Sequence, residues 1–214
     1  MNNLDFLNTF VNNKLSEVNT CMPAKIVSYD YKTRKAKVKP SLNIQYNDDE
    51  IIEMPEISNV PVVHPSTSKA SITLPISIGD NVWLIFSQRS LEEWLKNGNS
   101  TTPDDPRQFD LTDAIAFLGA NPFSATCKAE SADDLLIECN NSSITMKPSS
   151  IVDIKATTIN IQASNVNVSG KLSAQNIEAS SNLKGATATI GSKDFATHTH
   201  GGVMSGPSIT GVVS

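Results

Sequence analysis

Two of the chain's three histidines, His198 and His200, stand two residues apart in Thr197-His198-Thr199-His200-Gly201-Gly202, near the end of a 214-residue sequence. Imidazole is the commonest side-chain metal ligand. In an extended strand, residues two apart face the same side, roughly 6.6 Å apart at about 3.3 Å per residue. One chain then presents two ligands together, too few to close a metal site. Three copies meeting on a threefold axis present six imidazoles. That set suits an octahedral first-row metal such as Fe(II) better than zinc, whose structural sites are usually tetrahedral. The spacing therefore carries an expectation about oligomeric state. The plainer alternative is a solvated terminal tail. Against it, the residues after the pair include glycines for reversals and Val203, Met204, Ile209, Val212 and Val213 to bury, types in which disordered tails are poor. A compact, reversed tip is expected.

No other constellation points to chemistry as clearly. Asp104/Asp105 and Asp133/Asp134 are adjacent carboxylate pairs, but both sit in polar loop sequence, where solvated turn residues are commoner than paired catalytic acids. His64 has no Cys or carboxylate beside it and reads as a loop residue. There is no nucleophile elbow, zinc-protease helix or phosphate-binding loop. The chain is therefore not expected to be an enzyme. Net charge is −5, and the densest basic stretch alternates as Lys35-Ala36-Lys37-Val38-Lys39, the outer face of a half-buried strand. Nucleic acid is not an expected partner. Cys21, Cys127 and Cys139 are odd in number and lack ligand spacing, so they are expected to be small buried hydrophobes in a chain assembled in a reducing cytoplasm. Neither a signal peptide nor an apolar run of transmembrane length is seen.

The elements that must carry the histidine pair change character along the chain. Leu4, Leu7, Phe10, Val11, Leu15 and Val18 recur at three- and four-residue spacing, which predicts an amphipathic helix within residues 1–20. From Pro23 the period becomes two. Ala24 to Asp30, a turn at Tyr31-Lys32-Thr33 and Ala36 to Pro40 form a predicted hairpin, with further strands at 51–54, 57–63 and 71–74. Asn81 to Ser87 reads as an apolar core strand containing Trp83. Five or so short antiparallel strands before residue 90 suggest a small oligonucleotide/oligosaccharide-binding (OB) type barrel, and residues 21–125 are assigned to it. Ser90 is a plausible helix N-cap with Glu93 in capping-box position, and Asp110 to Phe117 returns to order after a loop.

Beyond residue 125 the aromatics vanish except for Phe195, and apolar pairs recur at Ile144/Met146, Val152/Ile154, Ile159/Ile161 and Val166/Val168, with weaker members at Leu172/Ala174 and Ile177/Ala179. β-branched content and Pro148 argue against a coiled coil. One chain of such thin strands cannot bury its own apolar faces, but three intertwined chains can. Residues 126–190 are read as a trimeric β-helix shaft and 191–214 as its tip. The fold class is thus mainly β: an N-terminal OB-fold-like barrel, an intertwined trimeric β-helix and a metal-capped end.

In this order the stretches Ala24 to Asp30, Pro75 to Ser90, Asp110 to Ala114 and the terminal His-x-His resemble the central membrane-puncturing spike of contractile-tailed phages, the baseplate assembly protein V family. The resemblance implies a homotrimer in the virion, at the tip of the tail baseplate. Its barrel end would join a baseplate hub protein, and its rod would be driven through the host outer membrane by sheath contraction. It further implies one iron ion per trimer, held by His198 and His200 of each chain. The spike of a bacterial contractile injection system is a close rival reading. An OB-fold module that binds oligosaccharide or nucleic acid is a more distant one.

Overall fold

The computed structural model of the chain describes residues 3–45, 51–190 and 193–194. Its contacts divide the chain into two units, Met1–Ile154 and Lys155–Ser214. The first unit opens with α1 (Asn3–Ser16), where the apolar spacing placed a helix. Asp5 in its first turn and Lys14 in its last complement the helix dipole. No residue of α1 is buried.

Two strands follow, β1 (Cys21–Asp30) and β2 (Lys35–Pro40). Asp30 closes the turn between them. Its carboxylate accepts the Lys32 backbone N–H at 2.9 Å and the Thr33 hydroxyl at 2.8 Å, and Arg34 takes up a left-handed φ of 57°. The short pair β3 (Ile44–Gln45) and β4 (Ile51–Ile52) stands outside the main sheet. Then come β5 (Ile57–Val63), β6 (Asn81–Phe86), the one-turn helix α2 (Glu92–Asn97), a 3-10 turn at Leu111–Asp113, and β7 (Ala114–Leu118).

Five of these strands close into a barrel in the order β1-β2-β5-β7-β6. Every pairing is antiparallel except β5 with β7, where Val62 meets Ala116 and Val63 meets Phe117 in parallel. The fold is mainly β, and this five-strand closure is OB-like. The expectation of five antiparallel strands before residue 90 is corrected in two respects. The closing strand lies at 114–118, and it is parallel to one neighbour. A parallel pair needs a long crossover, which the path through β6, α2 and the loop to residue 113 supplies. Of the two expected strands that drop out, 51–54 yields only the short β4 and 71–74 only an isolated bridge from Ser66 to Ser71. The helix cap also shifts: Leu91, not Ser90, precedes α2, and no side chain caps it.

Barrel strands alternate between inside and outside, with register shifts where β1 meets β2 and β2 meets β5. Ala24, Ile26, Ala36, Val38, Ile57, Val60, Val62, Val82, Leu84, Phe86, Ala114 and Ala116 fill the interior. Small and branched aliphatics dominate because a five-strand barrel has little room at its axis. The three lysines of β2 stay outside, as expected, and Lys37 and Lys39 pair with Glu56 and Glu53. Trp83 corrects the reading of β6 as a core strand. It and Ile85 face outward at 44% and 43% exposure while Val82, Leu84 and Phe86 face in. A period of two sends alternate residues to opposite faces, so an apolar run on a barrel must show half its side chains outside. The cysteines are a second correction, since Cys21, Cys127 and Cys139 are all free and exposed. Cys21 occupies an outward position of β1, and Cys139 ends a strand described next.

After the barrel, β8 (Leu135–Cys139), β9 (Ser142–Met146) and β10 (Val152–Lys155) form a three-stranded sheet with β9 in the centre. Asn140 and Asn141 make the two-residue hairpin loop between β8 and β9, and Asn140 adopts the positive φ, 52°, that such loops require. In the second unit, a small antiparallel hairpin joins β11 (Thr189–Ile190) to β12 (Lys193–Asp194).

Leu84 is among the largest fully buried side chains of the barrel. Leu84→Ala is expected to destabilise the barrel by about 3 kcal/mol through lost transfer energy and a residual cavity. Chemical denaturation monitored by circular dichroism measures that loss.

Candidate functional site

The most extensive feature left open by the fold is the apolar repeat. In β8 and β9, Leu135 sits opposite Met146 and Ile137 opposite Ile144, so one face of that hairpin is apolar, yet Leu135, Ile137 and Met146 are exposed. Farther on, Val152, Ile154, Ile159, Ile161, Val166, Val168, Leu172 and Ile177 are each more than half exposed. At about 1.5 kcal/mol or more per fully buried side chain, these eight represent on the order of 12 kcal/mol that one chain leaves in contact with water. Only the first pairs lie in strands. Residues 156–188 carry no strand within a single chain.

His198 and His200 lie outside the described residues. The last described element before them is the β11–β12 hairpin, in which Thr189 pairs with Asp194 and Ile190 with Lys193. Among the described residues, no group of three or more His, Cys, Asp and Glu side chains could hold a metal ion.

Within the barrel domain the most concentrated electrostatic feature is Asp113, buried at 3% exposure at the start of β7. Its carboxylate accepts Arg107 Nε at 2.7 Å and Nη2 at 3.1 Å, and also the backbone N–H of Leu91 at 2.9 Å. Its own carbonyl accepts Ser87 N–H at 3.0 Å. One side chain thereby fixes the end of β6, the approach to α2 and the start of β7. Arg107 is held in turn by Asp105, whose carboxylate takes the guanidinium at 2.8 Å and the Arg107 backbone N–H at 2.9 Å. Hydrogen bonds from Arg107 to Asp113 and Asp105 raise the guanidinium's pKa further above its ordinary value. The Arg107 backbone N–H, then its guanidinium, lowers Asp105; the Thr112 hydroxyl, then the Thr112 N–H, lowers Asp110. The sequence reading placed Asp105 in a solvated turn, and it is half-exposed there. It missed the buried role of Asp113, for which the adjacent Asp110-Leu111-Thr112-Asp113 turn was the available signal.

His64 follows β5 and is buried, although the sequence marked it only as a loop residue. Its Nδ1 accepts the Leu74 N–H at 3.3 Å, which leaves Nε2 to donate to the Tyr29 hydroxyl at 3.2 Å. The ring thus pins the 65–76 segment to β1. A cleft of about 540 Å³ opens beside it, with Tyr29, Tyr31, Arg34 and the hydroxyls of Ser66, Ser71 and Thr73 on its walls. This set can offer hydrogen bonds and a stacking face.

Residues 22–119 match the family model of the phage protein Gp138 N-terminal domain. The barrel is similar to a phage domain. The match runs from the second residue of β1 to just past β7, slightly under half of the chain. It supports a phage structural protein with a baseplate-related role, and so a virion component. No curated protein matches the chain.

Removing Arg107 would strand a buried carboxylate. Arg107→Ala is expected to cost about 3 kcal/mol of barrel stability, read from denaturant midpoints. The depressed carboxyls set a pH dependence as well. Their folded pKa values lie below the unfolded value of about 3.9, so their stabilisation is present above that value and is lost as pH falls from it through the lower folded values. The melting temperature should therefore drop between pH 6 and pH 3, and Asp110→Asn should reduce that drop.

Proposed function

We propose that this protein is the homotrimeric central spike of a phage tail baseplate. Three chains wind their apolar repeats into a β-helix shaft, the barrel end attaches to a baseplate hub protein, and the shaft is driven through the host outer membrane when the sheath contracts. At the apex, His198 and His200 of each chain would hold one iron ion among six imidazoles. The observation that carries this reading is the run of eight valine, isoleucine and leucine side chains from Val152 to Ile177, each left more than half exposed by one chain. The phage-domain match over the barrel supports it independently.

The mechanical demands of piercing suit such an assembly. A rod wound from three chains has every strand paired by a neighbour and no open edge to fray or aggregate. Its interior is narrow, which accounts for the near absence of aromatic side chains beyond Phe123. The metal's contribution when bound is to crosslink three chain ends where termini otherwise loosen. Two histidines two residues apart would supply neutral nitrogen donors from one face if the segment is extended. No bond is made or broken in the target, so the work is mechanical and the apex need only stay closed under load.

Native mass spectrometry with elemental analysis tests the proposal directly. A trimer with one iron per three chains is expected, and a metal-free monomer would overturn it. The double variant His198→Ala/His200→Ala is expected to lose the metal but remain trimeric, because the shaft buries far more apolar surface than the tip.

A further inference from the structure

The outward side chains of the barrel are not scattered. In one register row, Pro23 of β1 lies beside Trp83 of β6, Trp83 beside Phe117 of β7, and Phe117 beside Val63 of β5. The adjacent row runs Cys21, Ile85, Ile115. Trp83, Ile85, Phe117, Val63 and Cys21 are exposed. With strands about 4.8 Å apart, the four-strand row forms an apolar wall roughly 14 Å wide. Contiguous apolar patches of this kind mark interaction sites on soluble proteins.

The same chain owns a second uncovered apolar surface. On α1, Leu4, Phe6, Leu7, Phe10, Val11 and Leu15 fall within one half of the helical circumference at about 100° per residue, and each is more than half exposed. A free 14-residue helix is marginal in water, so this face needs a partner. The helix precedes β1, which carries one edge of the wall, but the two do not cover one another within one chain. The Thr20 carbonyl accepts Phe86 N–H at 3.0 Å, and the Asn19 amide donates to the Phe109 carbonyl at 2.9 Å. These bonds carry the chain along β6 past the end of the wall, and α1 beyond them has no buried residue.

We infer that α1 of one copy docks on the Trp83–Phe117 wall of a second copy. The inference rests on the trimeric reading above. Each chain would give its helix to one neighbour and its wall to the other, a heterologous contact that closes into a ring on a threefold axis. A helix about 21 Å long and 10 Å across covers an area well below the roughly 800 Å² per side of a stand-alone interface. The contact therefore clamps barrels already gathered by the shaft and does not create the trimer. It also gives Trp83, Ile85 and Phe117 a reason to be apolar on the outside of a barrel.

Disulfide trapping tests this in the full-length chain. Cys21, Cys127 and Cys139 are replaced by Ser, Ile85→Cys is introduced on the wall, and Leu4→Cys, Leu7→Cys or Val11→Cys is added in turn so that the helix register does not decide the result. Covalently linked two- and three-chain species on oxidation are expected from at least one combination. A disulfide within a single chain, or no linkage from any combination in a protein that native mass spectrometry shows to be trimeric, would overturn the inference. A monomer in native mass spectrometry would instead remove the trimeric reading beneath it. As a second readout, Trp94→Phe leaves Trp83 as the sole tryptophan. Adding Phe10→Asp should shift its emission to the red without changing the native mass, and unchanged emission would count against docking.

Discussion

Side chains alternate across a β-strand, and every apolar strand face of this molecule must find cover. In the barrel one face is solved by closure. Twelve side chains, all but Phe86 small or branched aliphatics, meet around a common axis, and the single parallel pair between β5 and β7 completes the ring. The other face of β6 and β7 is left with Trp83, Ile85 and Phe117 in water. Past the barrel the same constraint acts without closure. A sheet of three short strands and a long stretch without strands hold valine and isoleucine at regular spacing, and nothing among the described residues covers them.

Stability inside the barrel domain depends on a different kind of economy. The loop from residue 87 to 113 is long for a connection between neighbouring strands, and long loops carry their own closure entropy. Asp113 offsets this by gathering the loop around one buried carboxylate: two bonds from Arg107, one from the Leu91 amide, and its own carbonyl on Ser87. No buried side-chain nitrogen or oxygen among the described residues lacks a hydrogen-bond partner. His64 performs a comparable task for the 65–76 segment. Both are polar groups whose cost of burial is met by complete hydrogen bonding.

Much of this was readable from residue order. The spacing of Leu4, Leu7, Val11 and Leu15 marked α1, the switch to period two after Pro23 marked the β1–β2 hairpin, and Ile57 to Val63 coincides with β5. These are local patterns, in which a residue's neighbours in sequence set its conformation. Long-range pairing was harder. Five or so barrel strands were expected before residue 90, whereas the barrel takes β7 from the far side of a loop. The buried roles of Asp113 and His64 were not legible because their partners, Arg107 and Leu91 for one and Tyr29 and Leu74 for the other, are brought together only by the fold.

The sequence by itself marked the helix α1, the β1–β2 hairpin, β5 and the spacing of the apolar repeat, because composition and periodicity are properties of the unfolded string. Tertiary structure alone decided which face of each apolar strand is covered. Trp83 and Leu84 are adjacent and equally apolar, and no local preference separates them. Closure of the ring turned one to the axis and the other to water, since a period of two divides neighbours between the inside and the outside.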